Sequence, residues 1–92
     1  MGKGHTDKVA VISGAATGLG QAYAKRLAED GVHVAIADMD SGEATAALVR
    51  GAGREALVVR CDVSSPDDVA RLSAEVERRF GRCDILVNNA GI

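Results

Sequence analysis

Aromatic side chains are almost missing from this sequence of 92 residues: one Tyr, one Phe and no Trp, 2% in all. Because 47% of the residues are nonetheless hydrophobic, Ala, Val and Leu must fill the core. An excess of positive charge is missing too. Eleven Lys and Arg face thirteen Asp and Glu, a net charge of -2. A sequence-independent grip on DNA or RNA needs a basic face, so this balance argues against nucleic acid as a partner. No apolar run approaches the ~20 residues of a membrane span. The opening Met1-Gly-Lys-Gly-His-Thr6 lacks the apolar stretch of a secretion signal, and residues 1–6 read as a flexible tail. Cys61 and Cys83 form neither a CxxC pair nor, with His5 and His33, a metal cluster. Two free thiols in a reducing cytosol are expected, hence a cytoplasmic location, no membrane and no metal.

What is present alternates. The length suits one domain or part of one. Lys8-Val-Ala-Val-Ile-Ser13 is a short apolar run ending at Gly14 and reads as a buried strand. From Leu19 to about Asp30 the spacing is helical, with Leu19, Ala22, Tyr23, Ala24, Leu27 and Ala28 as the apolar face. Gly31 follows where a helix C-terminal glycine belongs. Val32 to Ala37 is a second strand stopping at Asp38. Ser41 offers an N-cap for a second helix through about Arg50. Leu57 to Val59 centres a third strand running on to Cys61 and Asp62. Ser65-Pro66-Asp67-Asp68 then supplies a capping hydroxyl, proline at the first helical position and two acids in the first turn. Val69, Leu72, Val76 and Phe80 follow at helical spacing up to Gly81, and Ile85 to Val87 is a fourth strand. Strands that are apolar throughout point to a parallel sheet covered on both faces. The expected fold is α/β, a Rossmann-like doubly wound parallel sheet of four strands in the order 3-2-1-4.

The segment Ser13-Gly14-Ala15-Ala16-Thr17-Gly18-Leu19-Gly20 joins the first strand to the first helix. Gly14 can turn tightly off the strand, Gly18 can let a pyrophosphate approach the backbone, and Gly20 can let the helix pack close to the sheet. The helix start offers free N–H groups and the positive end of its dipole to phosphate. A bare glycine spacing says little; its place between a strand and a helix is what the mechanism requires. Asp38 lies 18 residues after Gly20 at the carboxyl end of the second strand, where it can accept from ribose hydroxyls. Neither Thr17 nor Met39 is a cation that could receive a 2′-phosphate, so the expected cofactor is NAD, with NADP disfavoured.

With these pieces the chain resembles the N-terminal part of a short-chain dehydrogenase/reductase of the classical subgroup. That family carries T-G-x-x-x-G-x-G after its first strand, matched by Ser13-Gly14, Gly18 and Gly20 with Ser in place of Thr. Its D-V step after the third strand matches Asp62-Val63, and its N-N-A-G matches Asn88-Asn89-Ala90-Gly91 in full. The resemblance runs from about Asp7 to Ile92, making residues 7–92 the N-terminal part of an NAD-binding Rossmann domain. It implies that Gly14, Thr17, Gly18, Leu19 and Gly20 hold the pyrophosphate and that Asp38 takes the ribose. It implies that Asp62 accepts from the adenine amino group, with Val63 beside the ring. Asn89, Ala90 and Gly91 would line the floor by the sugars, and Ser13 would tie the first strand to the fourth.

The family's catalysis uses Tyr and Lys in a Y-x-x-x-K helix with an upstream Ser and Asn. None of these can be placed in this chain: Tyr23 is its one tyrosine and Leu27 stands four residues on. Tyr23 is expected to be a packing residue. The implied function is therefore the cofactor-binding portion of an NAD(H)-dependent alcohol/ketone oxidoreductase, inactive by itself and a homo-oligomer in its complete form. The small-molecule substrate would meet residues beyond Ile92. The alternative is a non-catalytic half-Rossmann nucleotide-binding module. Another nucleotide-using Rossmann-like domain, such as a methyltransferase, fits Asn88 to Gly91 less well.

Overall fold

The computed structural model describes residues 7–89. Strands β1 (Val9–Ser13), β2 (His33–Asp38), β3 (Ala56–Arg60) and β4 (Ile85–Asn88) alternate with helices α1 (Gly18–Glu29), α2 (Glu43–Gly51) and α3 (Pro66–Phe80). The strands form one parallel sheet in the order β3-β2-β1-β4, as the sequence leads one to expect.

Continuous apolar runs follow from burial on both faces. Successive strand residues point to opposite sides, so β1 sends Ala10 and Ile12 to one core and Val9 and Val11 to another. β2 does the same with Val34 and Ile36 against Ala35 and Ala37. The first core holds Ala24 and Ala28 of α1 and Ala46 and Val49 of α2. The second holds Leu72 and Val76 of α3 together with Cys61.

The helix ends follow their local chemistry. Ser65 caps α3, its hydroxyl accepting the Asp68 N–H at 3.2 Å, and Gly81 closes the helix at φ 73°. Several boundaries differ from the sequence reading. α2 is capped by Gly42, not Ser41, and position 42 has no room for a side chain, since a Cβ there would meet Ile36 Cγ2 at 2.7 Å. Ser41 stands one residue outside and accepts the Glu43 N–H at 3.4 Å. β3 ends at Arg60, although the Cys61 N–H still donates to the Asp38 carbonyl at 3.0 Å.

The buried face of α1 is also narrower than expected. Gly20, Ala24 and Ala28 touch the sheet, while Leu19 and Tyr23 are exposed, so Tyr23 is no core residue. Small side chains let the helix axis come close, and the larger ones are left outside. Val69 on α3 is likewise exposed. Among the described residues no helix is long and apolar enough to cross a membrane.

Candidate nucleotide site at the carboxyl ends of the strands

From β1 the chain winds outward through β2 to β3, and α3 then carries it back across to β4 on the other side of β1, so the strand order reverses at β1. In open parallel sheets such a reversal leaves a crevice where ligands bind. Gly14 turns the chain off β1 at φ 68°, its N–H still held by the Ala37 carbonyl at 2.8 Å. Thr17, Gly18 and Leu19 are exposed, and a Cβ on Gly18 would meet nothing within 4 Å. Open space beside that backbone is what an approaching phosphate requires.

The start of α1 is set apart from the other helix starts. Thr17 is its N-cap but its side chain makes no capping bond, and no acid stands in the first turn. α2 has Glu43 there and α3 has Asp67 and Asp68, which oppose an anion. The first turn of α1 therefore keeps its positive end available.

A cleft of about 290 Å³ opens beside this loop, lined by Gly14, Ala37, Asp38, Met39, Cys61, Asp62 and Val63. Asp38 is tied to its neighbours through both oxygens. Oδ2 accepts the Ala16 N–H and Oδ1 accepts the Asp40 N–H, each at 2.9 Å. Each oxygen keeps a further lone pair for a hydroxyl donor. Asp62 accepts both the Ser64 hydroxyl (2.7 Å) and the Ser64 N–H (2.9 Å) on Oδ1. Those bonds hold its carboxyl below the usual aspartate range, so it is ionised at neutral pH. Among the described residues no Lys or Arg lines the cleft, and two aspartates do. Burial pushes the Cys61 thiol up and keeps it neutral, so it lines the cleft as a small apolar group.

Asn89 joins the loop from the other side, its Nδ2 donating to the Gly14 carbonyl at 3.0 Å. Ser13 ties β1 to β4 as expected, its hydroxyl 3.0 Å from Asn88 Oδ1 and 3.4 Å from the Val87 carbonyl. Of the predicted site residues, Gly14, Asp38, Asp62 and Val63 share the cleft. Thr17, Gly18, Leu19 and Gly20 form the adjoining loop and helix start, and Asn89 braces it. Ala90 and Gly91 lie outside the described residues. The sequence reading missed Met39 as a wall; it is an exposed apolar side chain beside Asp38. It also missed Gln21 and Thr45, which bond the carbonyls of Ala15 and Ala16.

A family profile described as short chain dehydrogenase matches residues 8–92. The chain belongs to the short-chain dehydrogenase family. A curated member of that family, cis-4-hydroxycyclohexanecarboxylate dehydrogenase of Sinomonas cyclohexanicum, is 46% identical over all of this chain and 37% of its own length. Carveol dehydrogenase from Mycobacterium avium, solved in complex with NAD, superposes with a TM-score of 0.91 at 30% identity, over 100% of this chain and 38% of that one. An NAD+-bound xylitol dehydrogenase superposes at 0.87 with 40% identity, over 91% of this chain and 33% of that one. This short-chain dehydrogenase sequence thus spans about a third of the length of the relatives it matches. They are oxidoreductases, and the four-stranded unit is the shared Rossmann fold.

Proposed function

We propose that this chain holds the adenosine diphosphate half of NAD(H) within an oxidoreductase acting on small alcohols or ketones. The observation that carries the reading is the acidic cleft. Asp38 stands at its edge with two oxygens able to accept ribose hydroxyls, and among the described residues no cation lines it to receive a 2′-phosphate. Gly18 and the start of α1 face the pyrophosphate, Asp62 accepts from the adenine amino group, and Met39 and Val63 give the ring apolar walls. When bound, the nicotinamide supplies or accepts the hydride that passes to or from a carbonyl or carbinol carbon. The small-molecule substrate, the homo-oligomeric state and the cytoplasmic location belong to the same reading.

Calorimetric titration of the complete protein with NAD and NADP tests it. NAD should bind more tightly by roughly a hundredfold, since a phosphate placed against a carboxylate costs several kcal/mol. Asp38→Asn removes the charge, keeps an acceptor for the loop, and should narrow that ratio. Equal affinity of the wild type for the two cofactors would sink the reading.

A second reading, a nucleotide-binding module without catalysis, is favoured by Tyr23. The one tyrosine is exposed on α1, and nearby Lys25 pairs instead with Glu29 at 3.8 Å. These 92 residues therefore offer no Tyr-Lys pair for proton transfer. A hydride-transfer assay on a polypeptide of this sequence should find no turnover, and turnover with a secondary alcohol would refute that assignment.

A further inference from the structure

Ala15 and Ala16 belong to a loop yet are as deeply buried as the strands, 0% and 3% exposed. Backbone polar groups at that depth need partners. The Ala16 N–H donates to Asp38 Oδ2, as described. From the opposite side, the Thr45 hydroxyl donates to the Ala15 carbonyl at 2.7 Å. These two groups are the ends of one peptide unit. A single plane is thus held at both edges, by the tip of β2 and by α2.

The next peptide is held as well. Gln21 Nε2 donates to the Ala16 carbonyl at 3.2 Å and to Thr45 Oγ1 at 3.0 Å. The proton count closes. Thr45 gives its one proton to Ala15, its nearer carbonyl, the Ala16 oxygen being 3.2 Å away. Gln21 gives one amide proton to Thr45 and the other to Ala16. The reverse amide orientation would set oxygen against oxygen, so the chemistry chooses this one.

Thr45 is fully buried on α2, next to Ala46 of the core. A hydroxyl buried to that degree costs free energy unless it is bonded. Here its bonds all go to the glycine loop and to the residue that braces it.

We propose that Thr45 and Gln21 are positioning residues for the phosphate-binding loop, a role that rests on the cofactor reading. A trans peptide aims its N–H opposite to its carbonyl. Drawing the Ala16 carbonyl towards Gln21 turns the N–H of Thr17, an exposed residue, away from Gln21 and Thr45. The pair therefore sets the direction of the first donors of the anion-binding turn before any phosphate arrives. α2, which contributes no side chain to the cleft wall, acts on the cofactor through the loop alone.

The test compares adenosine, which needs only the cleft, with ADP, which also needs the loop. Both are titrated into the complete protein as wild type, Thr45→Val, Thr45→Ser and Gln21→Met. Thr45→Val should weaken ADP by about tenfold, the size of one or two lost hydrogen bonds, and leave adenosine within about twofold. Thr45→Ser restores the hydroxyl and should return ADP to within about threefold of wild type. Gln21→Met, at a partly exposed site, should show the same phosphate-selective loss and carries the test if Thr45→Val does not fold. Equal loss of both ligands, or no loss of ADP, overturns the positioning role. A wild type that binds neither ligand overturns the cofactor reading and this role with it, whereas a wild type that binds both while Gln21→Met is unchanged overturns this role alone.

Discussion

A Cβ on Gly20 would overlap the Gly14 carbonyl oxygen and come within 2.8 Å of Asn89 Nδ2 and 2.9 Å of Ala15 Cα. Two of those three neighbours are backbone and cannot swing aside. Gly20→Ala should therefore destabilise the protein by roughly 1–3 kcal/mol, as overpacking does, read by urea unfolding. Gly18 lies two residues earlier and behaves differently. Its surroundings are open, but its φ is +61°, where an L residue is strained. Gly18→Val should cost roughly 1–2 kcal/mol in stability while keeping the circular dichroism of the fold. NAD affinity should nonetheless be lost, because the branched side chain fills the open space beside the loop. Retained affinity would show that this loop does not cradle phosphate.

At the scale of elements, the junction of β1 with β4 depends on a side chain. The Asp84 N–H donates to the Val9 carbonyl at 2.8 Å, and Asp84 Oδ2 accepts the Val9 N–H at 2.9 Å. Arg82 closes on the same carboxylate with two bonds, at 2.7 and 2.8 Å. The Arg82 side-chain bonds and the Val9 N–H hold the Asp84 carboxyl below its ordinary range. A group whose folded pKa is depressed adds stability above its unfolded pKa and loses it as pH falls through the folded one. Stability should therefore drop on the acid side, from the ordinary aspartate range downward. In Asp84→Asn that acid loss should shrink, with lower stability at neutral pH. Thermal melts from pH 3 to pH 7, approximately the carboxylate titration range, check this; identical pH profiles would remove Asp84 from the account.

For the whole molecule, the sheet is unevenly covered. β1 is buried at every residue, whereas β4 alternates between half-buried and exposed, with Leu86 74% exposed. Leu86 shares a groove of about 270 Å³ with Val11, Val69, Leu72, Val76 and Cys83. β4 is also the outer strand of the described sheet, with one row of N–H and C=O groups unpaired by another strand. Such an edge beside apolar side chains is a template for association. A polypeptide of these 92 residues made by itself should therefore self-associate in sedimentation velocity over a concentration series. Leu86→Lys should shift it towards monomer, since a charge on an edge strand opposes pairing. A wild-type monomer throughout the series would remove the edge as the cause.

Much of this could be read from the sequence because it rests on local chemistry. The order of strands and helices follows from apolar runs broken by glycine. The start of α3 follows from Ser65 and Pro66, and the glycine loop with Asp38 follows from its place between strand and helix. The apolar runs and the start of α3 are each complete within a few residues of chain, while the loop and Asp38 are linked by a fixed spacing of 18 residues after Gly20. Which face of α1 lies on the sheet was decided by tertiary structure, since close packing selected Gly20, Ala24 and Ala28 over the larger Leu19 and Tyr23. That the cap of α2, Gly42, must lack a side chain was decided by Ile36 of β2, which occupies the space of a Cβ there. The bonds from Thr45 to Ala15 and from Gln21 to Thr45 join residues 30 and 24 positions apart. Their partners are chosen by how α1 and α2 lie together on the sheet, and no local pattern in the chain encodes that meeting.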